Sequence, residues 1–298
     1  MSQQGFYQAG DYGRVVEIPD SGSAEPYRTG FRRDFARIVH TPAFRRLQRK
    51  TQLFPGDESD FFRNRMTHSL EVAQIAKSIA IRLNYTIEQD RGPQVGAIDT
   101  DLVELVSLAH DLGHPPFGHT GEQALHEKMH AVGGFEGNAQ TLRILSRLEK
   151  RQTRGADFVE FANDKDLRAG LNLSFRSLAG ILKYDAQIPR IKETPTLSKG
   201  YYASEADLVQ AIKRAVLGKH FGKFDGEFKV IEMQIMDLAD DIAYSTYDFE
   251  DALKAGFASP LDLLQQLNNP EVRDPVAKKL FKTQTSRDTP SNTPQIMT

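Results

Sequence analysis

The chain has 298 residues, of which 39% are hydrophobic and 26% charged, an ordinary composition for a globular protein of one large domain or two small ones. Its formal net charge is -2, so phosphate binding would have to come from local clusters of basic residues. The absence of cysteine excludes disulfides, thiolate catalysis and sulfur-bound zinc. A metal site would therefore use histidines and carboxylates.

The sequence carries no signal for export or membrane insertion. No apolar run approaches the roughly 18 residues of a membrane span. The stretch from Met1 to Gly10 has neither a basic start nor an apolar segment. The sequence therefore predicts a cytoplasmic protein with no membrane partner.

Several helices are predicted in chain order. Residues 1–26 are rich in Gly, Ser, Gln and Pro and are expected to form a flexible, irregular arm. Apolar residues then recur at helical spacing over 66–83, among them Leu70. Thr100 is expected to cap a second helix, and further helices are expected from near Thr120 and near Gly137.

A long helix is predicted over residues 227–254, ending at Gly256. Beyond Lys282 the residues are polar, which predicts a disordered tail. Strand signals are scarce, so we predict an all-α helical bundle. Residues 27–256 would form its core and residues 257–298 a short C-terminal extension with the polar tail.

The most informative stretch runs from His110 to Glu122 and reads HDLGHPPFGHTGE. Imidazole nitrogen together with carboxylate oxygen suits Mn, Fe, Zn or Co, and Mg less well. The structural alternative is a helix C-terminus at which histidines interact with the helix dipole. The density of the cluster favours a metal, because buried imidazoles and carboxylates need partners. Its ionisable members are His110, Asp111, His114, His119 and Glu122.

A second acidic segment lies in the long helix. Asp240, Tyr244 and Asp248 are spaced i, i+4, i+8, which predicts that they share one helix face. An amphipathic helix with a solvated acidic face is the alternative, but stacked carboxylates repel each other and a bound cation would relieve that. A separate apolar stripe is predicted on Ile231, Ile235, Leu238, Ile242, Phe249 and Leu253.

His68, the His110–Asp111 pair and a later Asp resemble the H…HD…D signature of HD-domain phosphohydrolases. The segments HDLGHPPFGH and ADDIAYS are similar to those of dGTPase-like deoxynucleoside triphosphate triphosphohydrolases. The resemblance covers roughly residues 27 to 256, which would then be an HD-domain catalytic core. It implies hydrolysis of a deoxynucleoside triphosphate to the deoxynucleoside and inorganic triphosphate.

The resemblance also implies roles for individual residues. The implied cofactor is a divalent ion such as Mn or Mg, and its implied ligands are His68, His110, Asp111 and Asp240, with Asp241 as the alternative for the last. The implied catalytic residues are His119, its carboxylate partner Glu122, and His114. The implied substrate contacts are Gln52, Leu53, Arg65, Asn138, Tyr244 and Asp248.

The chemistry gives these roles a physical basis. A metal can lower the pKa of a bound water and neutralise a phosphate oxygen, and Arg65 suits phosphate through its bidentate guanidinium. Attack at the α-phosphorus makes the sugar 5′-oxygen the leaving group, which needs a proton. His119, oriented by Glu122, is the expected donor, and His114 is a candidate to hold a phosphate oxygen.

The stretch of residues 28–50 is basic and contains Asp34 as its one acidic residue. About half of its eight basic residues are expected to be solvated or paired with acidic residues. Single-stranded nucleic acid is a candidate partner, because Phe31, Phe35 and Phe44 lie between the charges. Their spacing is typical of core residues, which favours a nucleotide instead. The basic residues are Arg28, Arg32, Arg33, Arg37, Arg45, Arg46, Arg49 and Lys50.

Two alternatives stay open. One is an HD phosphohydrolase that acts on another nucleotide phosphate, and the other is a catalytically weak protein that binds a nucleotide or nucleic acid. Many members of the family continue with further helices that complete the pocket and the oligomer interface, whereas this chain ends in a polar tail. A homo-oligomer is expected, and the base preference and native metal are left open.

Overall fold

A computed structural model describes the chain over most of its length. Within the described part the fold is all-α, as predicted, apart from three pairs of very short strands. The tail beyond residue 270 lies outside the described residues. No helix among those described is both long and apolar enough to cross a membrane. The described residues are 5–17, 27–53, 63–92, 96–149, 152–153, 161–162, 165–189, 197–257 and 259–270.

Eleven α-helices are described along the chain. They are α1 Gly30–Val39, α2 Pro42–Arg46, α3 Arg65–Arg91, α4 Thr100–Ala109, α5 Gly118–Met129, α6 Gly137–Arg143, α7 Phe175–Ile181, α8 Ala206–Leu217, α9 Ile231–Ala243, α10 Phe249–Lys254 and α11 Pro260–Asn268. The strands are β1 Gln152–Thr153, β2 Phe161–Ala162, β3 Lys165–Asp166, β4 Arg168–Gly170, β5 Gln187–Ile188 and β6 Tyr201–Tyr202. Strand β1 pairs with β4 and β2 with β3, both antiparallel, whereas β5 and β6 are parallel.

Helix α4 is the centre of the bundle. It contacts α1, α3, α7 and α9, and Leu102, Leu105 and Val106 are completely buried. The predicted N-cap of α4, Thr100, was one residue too late in the sequence. Asp99 caps the helix, because its carboxylate accepts the Leu102 N–H at 3.0 Å, and Thr100 is the first helical residue.

Helix α3 packs beside α4 along its small residues. Asn64 caps it by accepting the amides of Met66 and Thr67. Ala76 and Ala80 are buried, so the two helices can approach closely. Leu70 was predicted on the same apolar face but is exposed, because it lies on the side of α3 that turns away from the core.

The predicted long helix is broken into two helices. It begins at Ile231 rather than near residue 227, and a π-helical turn at Tyr244–Asp248 separates α9 from α10. The helical segment ends at Lys254, and Gly256 follows with φ 74°. A π-turn adds a residue to the turn, so the residues after it are rotated relative to an unbroken α-helix.

Three of the six residues in the predicted apolar stripe on this segment are exposed, whereas Ile231 packs against the core. Ile235 is buried as predicted, but Leu238 is 52% exposed, and Ile242 and Phe249 are also exposed. The face that packs on α3 and α4 is made instead of methionines and alanines, whose small or flexible side chains allow close contact. These residues are Met233, Met236, Ala239 and Ala243.

The N-terminal segment was predicted to be a flexible, irregular arm, but residues 5–17 contain a 3-10 helix at Ala9–Tyr12 and pack on the rest of the fold. Phe6 is buried in the main hydrophobic core. Arg14 donates to the buried Asp34 at 2.7 Å. The Val16 amide donates to the Asn172 side chain at 3.0 Å. The composition predicted a flexible arm, because composition does not show that these polar side chains have partners far along the chain. Residues 18–26 lie outside the described part.

The basic stretch is in part structural. Arg32 pairs with Asp101 at 3.1 Å, and its guanidinium lies over the Phe35 ring. Lys50 donates to the main-chain carbonyls of Leu112 and His114. Two of its phenylalanines, at positions 31 and 44, are buried in the core, as their spacing indicated. They therefore cannot stack on the bases of a nucleic acid.

A buried ionic network joins the N-terminal segment to α7 and α9. Arg176 Nε donates to Glu232 at 3.0 Å, and its Nη1 lies 3.5 Å from Asp11. The hydroxyl of Tyr7 also donates to Glu232 at 2.8 Å. All three charged side chains are almost completely buried. The guanidinium therefore compensates two carboxylates that water does not reach.

We expect Arg176→Met to lower the free energy of unfolding by about 3–5 kcal/mol, because it leaves buried carboxylates without their counter-charge. Urea denaturation followed by circular dichroism measures the loss. Arg32→Met is the matched control, since it removes an arginine from an exposed pair and should cost less than about 1 kcal/mol. Equal losses in the two variants would contradict the prediction.

Candidate active site

Three of the predicted metal ligands come together from three helices. His68 lies in the first turn of α3, His110 at the C-terminal end of α4, and Asp240 in the last turn of α9. One donor atom from each lies within 4.8 Å of the other two. Oδ1 of Asp240 is 3.0 Å from Nε2 of His68 and 3.7 Å from Nε2 of His110. Asp241, the alternative ligand, is exposed.

The donor atoms of this group fit a divalent cation. The Nδ1 of His110 lies 2.6 Å from the carbonyl oxygen of Ser107, and a carbonyl can only accept, so Nδ1 carries the proton. Nε2 therefore presents its lone pair, and it is buried with no hydrogen-bond partner in the described part of the chain. Metal-binding histidines are commonly oriented in this way. Two imidazoles and a carboxylate are also a donor set that transition metals accept.

Asp111 lies at the edge of this group rather than within it. Its Oδ2 is 3.6 Å from Nε2 of His110, but it accepts a hydrogen bond from Nη1 of Arg65 at 2.8 Å. Burial alone would raise the pKa of the Asp111 carboxyl, but His110 and Arg65 outweigh it and hold that pKa well below its usual range. Asp111 is therefore a carboxylate, and its role as a fourth ligand stays a prediction.

The turn after α4 is held against α6 by tight packing. A side chain at Gly113 would overlap the carbonyl of Gly137 and the amide of Thr141. The Gly113 N–H donates to Thr141 Oγ1 at 2.9 Å, and that hydroxyl lies 3.2 Å from the carbonyl of His110. The glycine of the motif therefore lets α6 fix the backbone of His110.

His119 and Glu122 form a pair on the first turns of α5. Nδ1 of His119 lies 3.5 Å from Oε2 of Glu122, the long limit of a hydrogen bond. The Glu122 side chain is buried, whereas that of His119 is 87% exposed. The pairing matches the prediction from sequence, and the catalytic role of the pair remains a prediction.

His114 lies between the predicted metal ligands and the His119–Glu122 pair. Its Nδ1 is 3.9 Å from Oδ1 of Asp111, and its ring centroid is 5.8 Å from that of His119. Burial lowers the pKa of His114 to about 4, although the charge of Asp111 opposes that shift. His114 is therefore neutral near pH 7 and can offer a hydrogen bond but not a charge.

Several predicted substrate contacts have polar atoms that lack a partner. Gln52 hydrogen-bonds Asp248, and both His68 and Arg65 act electrostatically on that carboxyl. Burial raises the pKa of Asp248, and the hydrogen bond from Gln52 only partly offsets it. Within the described residues, no hydrogen-bond partner is found for the buried atoms Gln52 Oε1, Arg65 Nε, His114 Nε2 and Asp248 Oδ1. Asp248 interacts electrostatically with His68, and Arg65 and His114 both contact Asp111, so a polar molecule could bind to these atoms beside the predicted metal ligands.

The other predicted contacts are less enclosed. Leu53 is exposed, and Asn138 donates to Glu136 at 2.7 Å. The prediction that Asp240, Tyr244 and Asp248 share one helix face fails at Tyr244, the first residue of the π-turn. Asp240 and Asp248 both interact with His68. Tyr244 is 65% exposed and Asp248 only 9%.

Arg63 holds the segment after the π-turn against α3. It donates to Glu71 of α3 at 2.8 Å and to Glu250 of α10 at 2.8 Å. It also bonds Asp251, and its guanidinium lies 4.7 Å from the Tyr247 ring centroid. Sequence reasoning missed this residue, because two of its partners lie in α10, more than 180 positions away.

Residues 65–212 match the family described as HD domain. This range contains His68 and the His110–Asp111 pair, which carry the first three positions of the predicted ligand set. The chain belongs to the HD-domain family. The last predicted ligand, Asp240, follows the matched range and lies on α9.

Similar curated proteins carry related names. The chain is 52% identical over 260 residues to "Deoxyguanosinetriphosphate triphosphohydrolase-like protein 2" of Mesorhizobium japonicum, covering 87% of this chain and 53% of that protein. It is 43% identical to "like protein 1" of the same organism, covering 87% and 54%. It is 40% identical to the "Deoxyguanosinetriphosphate triphosphohydrolase-like protein" of Brucella anthropi, covering 90% and 55%. This HD-domain chain thus spans about half the length of these relatives.

We expect Asp240→Asn to weaken Mn²⁺ binding at least about tenfold, because it removes the charged oxygen that faces both imidazoles. Isothermal titration calorimetry with Mn²⁺ measures the affinity. Asp241→Asn is the matched control, since it makes the same change at the exposed neighbouring position and should leave the affinity unchanged. If Asp241→Asn weakened binding as much as Asp240→Asn, the assignment would be wrong.

Proposed function

We propose that the protein hydrolyses deoxynucleoside triphosphates, with a divalent metal, to the deoxynucleoside and inorganic triphosphate. The observation that carries the proposal is a set of buried polar atoms, without hydrogen-bond partners among the described residues, near the group of His68, His110 and Asp240. Buried polar atoms without partners are rare in folded proteins, so this set points to a polar ligand. The names of the similar proteins suggest which ligand it is.

The group of His68, His110 and Asp240 would hold the metal, with Asp111 next to it. When bound, a divalent metal supplies a water of lowered pKa and positive charge beside a phosphate oxygen. Arg65 adds a guanidinium at the same point, because its Nη1 binds Asp111 and its buried Nε is unpartnered among the described residues. A guanidinium in this place can bind phosphate oxygens and hold the triphosphate so that the attacking water is in line with the leaving group.

The His119–Glu122 pair would protonate the leaving group. Hydrolysis at the α-phosphorus releases the sugar 5′-oxygen, which leaves poorly as an alkoxide and needs a proton from a general acid. Glu122 orients the imidazole of His119 through Nδ1. His114, neutral and partly buried, would donate a hydrogen bond to a phosphate oxygen on the same side.

The sugar and base would lie toward Gln52 and Asp248. Their unpartnered oxygens can accept hydrogen bonds from a sugar hydroxyl. Leu53, Tyr244 and Asn138 stay proposed contacts at the rim. Self-association also remains part of the proposal.

The main alternative is an HD-domain phosphohydrolase that acts on another nucleotide phosphate. The donor set itself does not select the length of a phosphate chain, so the reaction product decides between the two. We therefore propose an assay of all four dNTPs with Mn²⁺ or Mg²⁺, read by ion chromatography. Release of inorganic tripolyphosphate is expected. Release of monophosphate or pyrophosphate would favour the alternative, and dNTP binding without turnover would indicate a binding protein.

We expect His119→Ala to lower turnover by about 10²–10⁴-fold, because it removes the proton donor, while Mn²⁺ binding is retained. His130→Ala is the control, since this exposed histidine lies in the turn after α5 and should keep full activity. A His119→Ala protein with normal turnover would refute the assigned role.

A further inference from the structure

Lys199 joins two buried carboxylates next to the His119–Glu122 pair. Its Nζ lies 3.3 and 3.2 Å from the two oxygens of Glu122 and 3.2 Å from Oε1 of Glu136. The Lys199 side chain is 36% exposed, whereas both glutamate side chains are buried. One ammonium group therefore compensates two carboxylates that have little access to water.

Both carboxylates are also tied to the start of α6. Oε1 of Glu122 accepts the Gly137 N–H at 2.9 Å. Glu136 caps the helix by accepting the Ala139 N–H at 2.7 Å and also accepts from the Asn138 side chain. The second oxygen of Glu122, Oε2, faces both Lys199 and His119. Its orientation therefore depends on the cation on one side and the imidazole on the other.

The backbone around Lys199 is fixed by the short parallel strand pair. A side chain at Gly200 would overlap the carbonyl of Ala186, and the Tyr201 N–H donates to that carbonyl at 2.9 Å. The hydroxyl of Tyr202, in β6, lies 3.1 Å from the Glu136 amide. The segment that carries Lys199 is thus held beside α6.

We propose that Lys199 is a positioning residue, which keeps the Glu122 carboxylate charged and turned toward His119 by bridging it to Glu136. This inference rests on the proposed role of His119 as the proton donor. It assigns Lys199 no contact with substrate.

The electrostatics agree with this geometry. Burial by itself would raise the pKa of the Glu122 carboxyl, but the Gly137 N–H and the Lys199 ammonium together bring that pKa below its usual value. Burial opposes the charge of Lys199, but Glu136 and Glu122 raise its pKa, so it stays an ammonium. The charged or titratable groups that face Glu122 are His119 on α5, Lys199, Glu136 before α6, and His114 in the preceding turn.

Removing the Lys199 ammonium determines the direction in which the pKa of Glu122 changes. Without Lys199, the buried Glu122 carboxylate loses its counter-charge, and the pKa of Glu122 rises. Glu122 then takes up a proton at a higher pH and no longer orients the imidazole. In Lys199→Met we expect the acid limb of the pH–rate profile for dNTP hydrolysis to move up by about one pH unit. A lower kcat and a nearly unchanged KM should accompany that shift.

Two further variants separate positioning from simple stability. Lys199→Arg keeps the charge and should restore the wild-type acid limb. Lys77→Met is the matched control, because Lys77 is 40% exposed and pairs with Glu104 at 2.7 Å on α3 and α4. It should leave the acid limb in place. A merely structural role would lower the rate at every pH without moving the limb, and that result would overturn the proposal.

A second measurement needs no turnover. With ¹³C-labelled glutamate, the Glu122 carboxyl can be titrated by NMR and assigned with Glu122→Gln. Its titration midpoint should move to higher pH in Lys199→Met. It should move to lower pH in Glu136→Gln, because the Lys199 ammonium then has Glu122 as its one carboxylate partner in the bridge. Unchanged midpoints would refute the bridge even if dNTPs are hydrolysed. Shifted midpoints without any hydrolysis would support the bridge and count against the proposed function.

Discussion

The candidate site depends on how closely α3 and α9 pack on α4. His68, His110 and Asp240 come from these three helices, and their donor atoms meet within 4.8 Å. The approach is possible because the buried faces carry alanines, such as Ala76 of α3 and Ala239 of α9. A larger side chain at either place would push the helices apart, and the ligand atoms would no longer converge. The chemistry of the site is therefore set by helix packing as much as by the ligands themselves.

The site was predictable from sequence because its chemistry is concentrated in a few segments. The run from His110 to Glu122 holds most of the ionisable groups, and the structure keeps His119 beside Glu122. Residue type could not separate Asp240 from Asp241, because neighbouring positions differ only in the face of the helix on which they lie. The spacing of apolar residues likewise predicted the central helix α4, whose sides are nearly all buried.

The parts that sequence missed depend on contacts between distant residues. Leu238 and Ile242 are apolar but exposed, because apolarity alone does not say which face of α9 meets its neighbours. A π-turn gives no pattern that spacing can detect, so Tyr244 and Asp248 were placed on one face. Lys199 follows a polar stretch without periodicity, and its carboxylate partners lie more than sixty positions earlier. In each case, long-range packing overrides the local pattern.

The ionic network of Arg176 has a consequence for handling the protein. Asp11 and Glu232 share that guanidinium, and Glu232 lies on α9 about two turns before Asp240. Residues 7–11, near the N-terminus, are therefore linked to the helix that carries a proposed metal ligand. Proteolytic trimming at this end, or a bulky affinity tag fused close to Tyr7, would disturb a centre to which these residues contribute no ligand.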